Sequence, residues 1–456
     1  MTTFDAIIIG AGQAGPALAR RLAGAGMKVA VVERDRFGGT CVNTGCTPTK
    51  TLVASAYAAH MARRGADYGF SAGDVVVDMK RVKARKDEIV ERSSRAVERS
   101  LRTLENCTVH TGHARLRSPR EVEVGNEILR SERILLDVGG RAAVPDIPGL
   151  DQVDFLTNSS MMDVDFLPRH LVVLGGSYVG LEFGQMYRRF GSQVTIIELG
   201  PRLVSREDEE VSQEIATILG REGIDVRTGA HCLSVTKRDR EIALQLSCEE
   251  GAQEVRGSHL LLATGRRPNT DDLGLDRAGV KLDKRGYIEV DDELRTSVPG
   301  IWALGDCNGR GAFTHTAWND HEIVAANLLD GGCRRLGDRI PAYALYTDPP
   351  LGRAGMTEAE VRKSGRPALV ARIAMEDISR ASEKGETQGF MKLLVDAESR
   401  RILGAAFLGA SGDEAIHCVL DVMYAQAPYT VLERAVHIHP TVAEFIPTML
   451  GDLAPL

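Results

Sequence analysis

Two cysteines five positions apart, Cys41 and Cys46 in GGTCVNTGCTPTKTL, are the residues of this sequence best suited to covalent chemistry. A close pair of thiols can cycle between dithiol and disulfide and so carry two electrons. In a regular helix the Cα atoms of residues i and i+5 stand about 8.6 Å apart, beyond the roughly 4.4–6.8 Å that a disulfide spans. A bridge here therefore requires a distorted first turn. Gly45 and Pro48 can supply one, and the N-terminus of a following helix would lower a thiol pKa. The competing readings are two buried structural cysteines or half of a zinc site, although no second Cys or His pair lies nearby at zinc-ligand spacing.

Such a pair has to be held against a partner that supplies electrons, and the elements on either side suggest one. Residues 6–33 read AIIIGAGQAGPALARRLAGAGMKVAVVE, and residues 171–198 read LVVLGGSYVGLEFGQMYRRFGSQVTIIE. Each is a β-branched run, a Gly-rich turn, an amphipathic helical stretch, a second apolar run and a closing Glu. In both copies the closing acid stands 23 residues after the first Gly, the spacing of a dinucleotide-binding βαβ unit. Gly10, Gly12 and Gly15 permit a tight turn, close approach to a pyrophosphate and close helix packing. The helix N-terminus adds unpaired N–H groups and partial positive charge. Glu33 can accept hydrogen bonds from a ribose. The second copy, with Gly175, Gly176 and Gly180, has Ser177 in place of the middle glycine. Its closing Glu198 would bond a ribose 2′-OH and repel a 2′-phosphate, and Leu199 rather than Arg follows, so NADH is expected over NADPH.

The chain is 456 residues long, enough for two to four domains. Its hydrophobic content of 43% and charged content of 26% are those of a globular protein and argue against disorder or a coiled coil. A net charge of −7, with both signs mixed, argues against nucleic acid or an anionic membrane as partner. Glycine, at 47 residues, is in excess and hints at backbone lying close to ligands. Six of the eight cysteines (Cys107, Cys232, Cys248, Cys307, Cys333 and Cys418) are scattered singly, as in a reduced cytoplasmic protein. Neither a signal peptide nor an apolar run near 18 residues is present. Residues 78–106 read as a long charged helix with a solvated face, 133–141 and 260–270 as short strand-like runs, and the chain from about Pro341 as a separate α+β unit.

Together, GAGQAG, GGTCVNTGCTPTK, TSVPGIWALGDC and HIHPTVAE, in that order, resemble the flavin-dependent pyridine nucleotide-disulfide oxidoreductases. This family includes dihydrolipoamide dehydrogenase, glutathione reductase and mercuric reductase. The likeness covers nearly the whole chain and leans toward the mercuric-reductase-like members. It implies an α/β fold with two Rossmann-like dinucleotide-binding domains and a C-terminal α+β dimerisation domain. The first part of the FAD domain would span 1–145, the NAD(P)H domain 146–270, the second part of the FAD domain 271–338 and the dimerisation domain 339–456. It also implies a homodimer in which the disulfide of one subunit faces the His-Pro of the other.

By that resemblance, FAD is held by Gly10, Gly12, Gly15, Glu33, Gly39, Thr40, Lys50, Gly139, Asp306, Thr314 and His315. NAD(P)H is held by Gly175, Tyr178, Glu182, Glu198 and Gly265. Cys46 lies against the flavin and Cys41 attacks the substrate, both in an electropositive niche. Lys50 pairs with Glu182 beside the flavin, and Tyr178 covers the ring until nicotinamide displaces it. His439, oriented by Glu444, shuttles a proton to the leaving thiolate. Cys307 is read as a packing residue and no metal site is expected. Three departures stand out: Asp137 where a small residue is usual, Ser177, and a terminal GDLAPL without the vicinal cysteines of mercuric reductases, which argues against efficient Hg(II) reduction. The expected activity is hydride transfer from NAD(P)H through flavin to Cys41–Cys46 and on to a small disulfide, oxidant or metal species. The alternatives are dihydrolipoamide dehydrogenase, a mercuric-reductase-like enzyme lacking the terminal cysteine pair, and a non-catalytic redox-sensing flavoprotein.

Overall fold

The computed structural model describes residues 1–248 and 251–456, the side chain of Cys248 lying outside the described set. Ala6–Ile9 and Val29–Glu33 are apolar and β-branched, and both are buried along their whole length. Strands buried on both faces belong in the middle of a parallel sheet, and these two pair in parallel with Ile7 opposite Ala30 and Ile9 opposite Val32. The sheet has five strands, in the order Ile301–Ala303, Ile134–Leu136, Ala6–Ile9, Val29–Glu33, Cys107–Thr111. The edge strand Ile301–Ala303 thus returns from far along the chain. The intervening residues build a second parallel sheet, ordered Asp225–Arg227, Gln193–Ile197, His170–Leu174, His259–Leu262. The α/β class with two dinucleotide-type sheets is therefore present.

The duplication read from the sequence extends to individual hydrogen bonds. Gly10 N–H donates to Val32 O at 2.8 Å, and Gly175 N–H donates to Ile197 O at 2.8 Å. Both glycines have positive φ, +106° and +117°. A Cβ on Gly10 would meet the carbonyl of Asp137 at 2.2 Å, and one on Gly175 the carbonyl of Ala263 at 2.3 Å, so no other residue fits either turn. The second unit's strand ends at Ile197, one residue short of its closing Glu198.

Residues 133–141, read as one strand-like run, form two short strands, Ile134–Leu136 and Gly140–Ala142, and 260–270 likewise divide into His259–Leu262 and Arg266–Pro268. Gly139 and Gly265, with φ of +64° and +119°, stand between the halves and turn the chain. The long charged helix is Met79–Arg102. Its face is mostly solvated, but Met79, Lys86, Val90 and Leu101 are buried, and Lys86 Nζ donates to Met162 O at 2.7 Å. The C-terminal unit is a six-stranded antiparallel sheet with helices, including Gly412–Tyr424. Cys307 is fully buried and its Sγ lies 3.2 Å from Leu304 O, a packing residue as read.

A buried ionic network ties this last sheet to Glu207 and Asp208, which lie just before the helix Glu209–Arg221 that follows strand Gln193–Ile197. Arg353 Nε lies 3.0 Å from Glu207 Oε2, and Lys392 Nζ lies 2.8 Å from Asp208 Oδ2. All four side chains are almost wholly inaccessible to solvent. Removing one partner of such a pair leaves a desolvated charge, at a cost of about 3–5 kcal/mol. Arg353→Ala is accordingly expected to lower the urea midpoint of unfolding strongly, whereas Arg21→Ala, at an exposed pair, should leave it nearly unchanged.

Candidate active site

A cavity of about 750 Å³ runs from Glu33 past Gly10 and Gly12 to Cys41, Cys46, Lys50, Tyr178 and Thr314, a volume within the roughly 300–1,000 Å³ range of small-molecule sites. Gly39, Thr40, Glu182, Gly139, Asp306 and His315 line it as well. Thus the residues assigned to FAD, which lie from position 10 to position 315, converge on one space, except Gly15, which is buried behind it with its N–H on Asp137 Oδ2. Gly175, Glu198 and Gly265 are not among its lining residues.

The cysteine segment departs from a regular helix where Gly45 predicts. Gly39–Asn43 is one short helix and Cys46–Arg63 a second, with Thr44 and Gly45 between them. Gly45 adopts φ −131° and ψ −120°, and a Cβ there would meet Thr40 O at 2.8 Å. Pro48, with no N–H to leave unsatisfied, sits in the first turn of the second helix. Cys46 is the first residue of that helix, where the unpaired N–H groups favour a negative charge.

Cys41 and Cys46 are both free thiols, and they differ electrostatically. Cys46 is pulled down to about 6 by a hydrogen bond from Cys41, by Thr314 Oγ1 at 3.2 Å and by the charge of Lys50. Cys41 is pushed up by donating that hydrogen bond and by burial. Lys50 and Thr314 favour the thiolate at both sulfurs, as in the electropositive niche expected, but at Cys41 the hydrogen bond to Cys46 and burial outweigh them. The pair shares one negative charge, which resides on Cys46, and Cys41 remains a thiol until a base relieves it.

Lys50 Nζ meets Glu182 Oε2 at 2.6 Å, joining the helix Cys46–Arg63 to the helix Tyr178–Phe190. Glu182 is buried and also accepts the Tyr346 N–H at 3.1 Å. Lys50 Nζ lies 4.6 Å from the Tyr346 ring centroid. This pair fixes a cation beside the cysteines at the boundary of the two sheets. Tyr178, the first residue of its helix, meets Phe313 and Tyr343 edge-on at 6.0 and 5.6 Å, and those two rings stack at 5.4 Å.

Glu33 accepts the N–H groups of Ala11 and Asp35 at 2.8 and 2.9 Å, and Glu198 those of Gly176 and Gly200 at 2.6 and 2.7 Å. Each closing acid thus braces its own glycine loop. Asp306 is raised by burial and pairs with Arg266 Nε at 3.3 Å. Thr40 lies under the same arginine, whose Nη2 is 3.4 Å from Thr40 Oγ1. His315 Nε2 lies 2.7 Å from Ala342 O, and its ring stacks on Phe313. His439 Nδ1 is 3.1 Å from both carboxylate oxygens of Glu444, the orientation expected of it. Its side chain is 75% exposed and does not line the cavity, so within one chain the structure does not bring it to the cysteines. Among the described residues, no group of three His, Cys, Asp or Glu side chains is placed to hold a metal ion, and no helix is long and apolar enough to cross a membrane.

Sequence reasoning passed over Arg266, Phe313, Tyr343 and Tyr346. The doubled arginine of TGRRPN was the available signal for Arg266, whereas the aromatic residues carried none, because their role depends on two separate units meeting.

The fold and site define a flavoprotein of the disulfide-reductase kind, and comparison with known proteins bears this out. Residues 4–320 match the pyridine nucleotide-disulphide oxidoreductase family and residues 341–450 match that family's dimerisation domain. The chain is 36% identical to the probable pyridine nucleotide-disulfide oxidoreductase RclA of Escherichia coli K12, over the full length of both. It is 35% identical to a mercuric reductase of Streptomyces lividans (100% of this chain, 98% of that one). It is 33% identical to a dihydrolipoyl dehydrogenase of Thermus scotoductus (97% and 96%). The solved structure of the HOCl-induced flavoprotein disulfide reductase RclA as a Cu(II) complex superposes with a TM-score of 0.90 at 34% identity, covering 99% of each chain. The chain belongs to the pyridine nucleotide-disulfide oxidoreductases, a family of FAD-dependent enzymes that use pyridine nucleotides and a disulfide redox centre.

The ionisation of Cys46 is open to a direct check. In the FAD-free protein with the pair reduced, Cys46 is expected to alkylate with a pH midpoint near 6, being thiolate above it and thiol below. Thr314→Val removes a hydrogen bond to the thiolate and should raise the midpoint by up to about one unit. A midpoint near that of a free thiol in both proteins would contradict the assignment.

Proposed function

We propose that this enzyme passes two electrons from NADH to a small disulfide or an oxidant-derived electrophile through Cys46 and Cys41. The observation that carries the reading is the charged Cys46 held at a helix N-terminus, in a cavity shared with the glycine loop and Lys50. Where FAD is bound, it supplies the two-electron relay between nicotinamide and sulfur. The chain's own groups do the rest. Gly10, Gly12, Gly15 and Glu33 would hold the adenosine half of FAD, Gly39, Thr40, Gly139 and Thr314 would crowd its middle, and Asp306 would take a polyol hydroxyl. Lys50 and Glu182 would orient the reacting edge of the ring, and Tyr178 would give way to nicotinamide.

Once the pair is reduced, Cys41 must lose its proton to attack a substrate, and its raised pKa makes a base necessary. His439 with Glu444 suits that role, provided it comes from the partner of a homodimer, because its own chain leaves it exposed. Val436 and Ile438, beside it and almost entirely exposed, support the same assembly. Division into FAD (1–145 and 271–338), NAD(P)H (146–270) and dimerisation (339–456) parts fits the sheets described above. Glu198 supports NADH over NADPH, and the singly scattered cysteines support a cytoplasmic setting.

A turnover panel of lipoamide, glutathione disulfide, Hg(II) and hypothiocyanous acid tests the substrate class. Predominant lipoamide turnover would instead favour dihydrolipoamide dehydrogenase. With the preferred substrate, His439→Gln is expected to lower kcat by roughly 10²–10⁴-fold while leaving flavin reduction by NADH unchanged. The value of kcat/KM should be higher for NADH than for NADPH, and the reverse order would sink the Glu198 argument.

A further inference from the structure

The first glycine loop contains a group that the second does not. Asp137 N–H donates to Ile9 O at 2.8 Å and its carbonyl packs on Gly10, as Ala263 N–H donates to Leu174 O at 2.8 Å and its carbonyl packs on Gly175. Asp137 is therefore the structural counterpart of Ala263, and an alanine suffices for the backbone. The carboxyl turns into the loop, where Oδ2 accepts the Gly15 N–H at 2.7 Å and lies 3.1 Å from where a Cβ on Gly12 would stand. It is 8% exposed and forms part of the wall of the cavity.

The surroundings of Asp137 are acidic. Glu33, Asp306 and Asp320 face it from three different elements, and the thiol of Cys307 lies beside them. Of these acids, Asp306 is paired with Arg266 and Asp320 with Arg339. Burial first, and then these like charges, outweigh the Gly15 N–H, which favours the carboxylate, and push Asp137 well above the usual carboxylate range. A pyrophosphate drawn to the N-terminus of the helix Ala14–Gly24 would add further negative charge to the same spot.

An ionised Asp137 would repel that anion, whereas the neutral acid has an O–H to offer it. We propose that Asp137 acts as a carboxylic acid that donates a hydrogen bond to the FAD pyrophosphate, so that FAD binding is linked to a proton held on this side chain. The proposal rests on the reading above that the Gly10–Gly15 loop holds FAD. A bound anion favours the protonated form and raises the pKa of Asp137 in the complex. By linkage the affinity for FAD is highest at low pH and falls as pH rises. The fall approaches tenfold per pH unit between the pKa of Asp137 in the free protein and that in the complex.

The test is calorimetric titration of the deflavinated full-length protein with FAD, from mildly acidic to alkaline pH, in two buffers of different ionisation enthalpy. Wild type is expected to take up a proton, approaching one per FAD, as pH rises, with affinity falling in step. Asp137→Asn keeps a donor and should bind FAD with little pH dependence and no uptake. Asp137→Ala should bind more weakly than Asp137→Asn and be equally insensitive to pH. If wild type and Asp137→Asn share one pH profile, or if wild type binds FAD without proton uptake, the inference is overturned. If folded wild type binds no FAD at all, the FAD reading itself fails.

Discussion

The site depends on keeping a single negative charge on one of two adjacent sulfurs. Two thiolates in contact would repel, and two thiols would be poor nucleophiles, so the pair has to be asymmetric. The break at Thr44 and Gly45 provides the asymmetry. It ends one helix after Cys41 and begins another at Cys46, giving Cys46 the helix N-terminus; Thr314 and Lys50 favour the thiolate at both sulfurs, but at Cys41 the hydrogen bond it donates to Cys46 and burial outweigh them. The Lys50–Glu182 pair fixes that cation where the two parallel sheets meet, so the position of the second sheet sets the field at the cysteines of the first.

Much of this was legible in the sequence because it is local. A dinucleotide βαβ unit is written within thirty or so residues, and its first and last glycines are required by carbonyls 2.0–2.3 Å from where a Cβ would stand. Both loops follow the spacing in detail, down to the bracing of each by its closing Glu. The helix break was likewise readable, because Gly45 and Pro48 lie between and beside the cysteines that need it.

What could not be read was whatever depends on surfaces that meet only after folding. Tyr343 gave no sign of stacking on Phe313 or of reaching Glu207 with its hydroxyl at 2.6 Å, since Tyr343 lies in the C-terminal sheet, Phe313 just before the helix Thr314–Leu329 and Glu207 just before the helix Glu209–Arg221. Arg353 resembled any strand arginine, yet it is almost entirely buried. Asp137 stood out as a departure, but only its equivalence with Ala263 shows that the fold does not need it. The unequal titration of the cysteines could not be foreseen from spacing, because Thr314, which helps hold the charge on Cys46, is 268 residues away.

The central claim is that reducing equivalents entering this protein come to rest on the cysteine pair with the charge on Cys46. Anaerobic titration of the FAD-loaded enzyme with NADH, followed by absorbance, tests it most directly. One equivalent should produce a long-wavelength band from the Cys46 thiolate beside oxidised flavin, with little bleaching of the flavin itself. Bleaching of the flavin at the first equivalent, with no such band, would contradict the account.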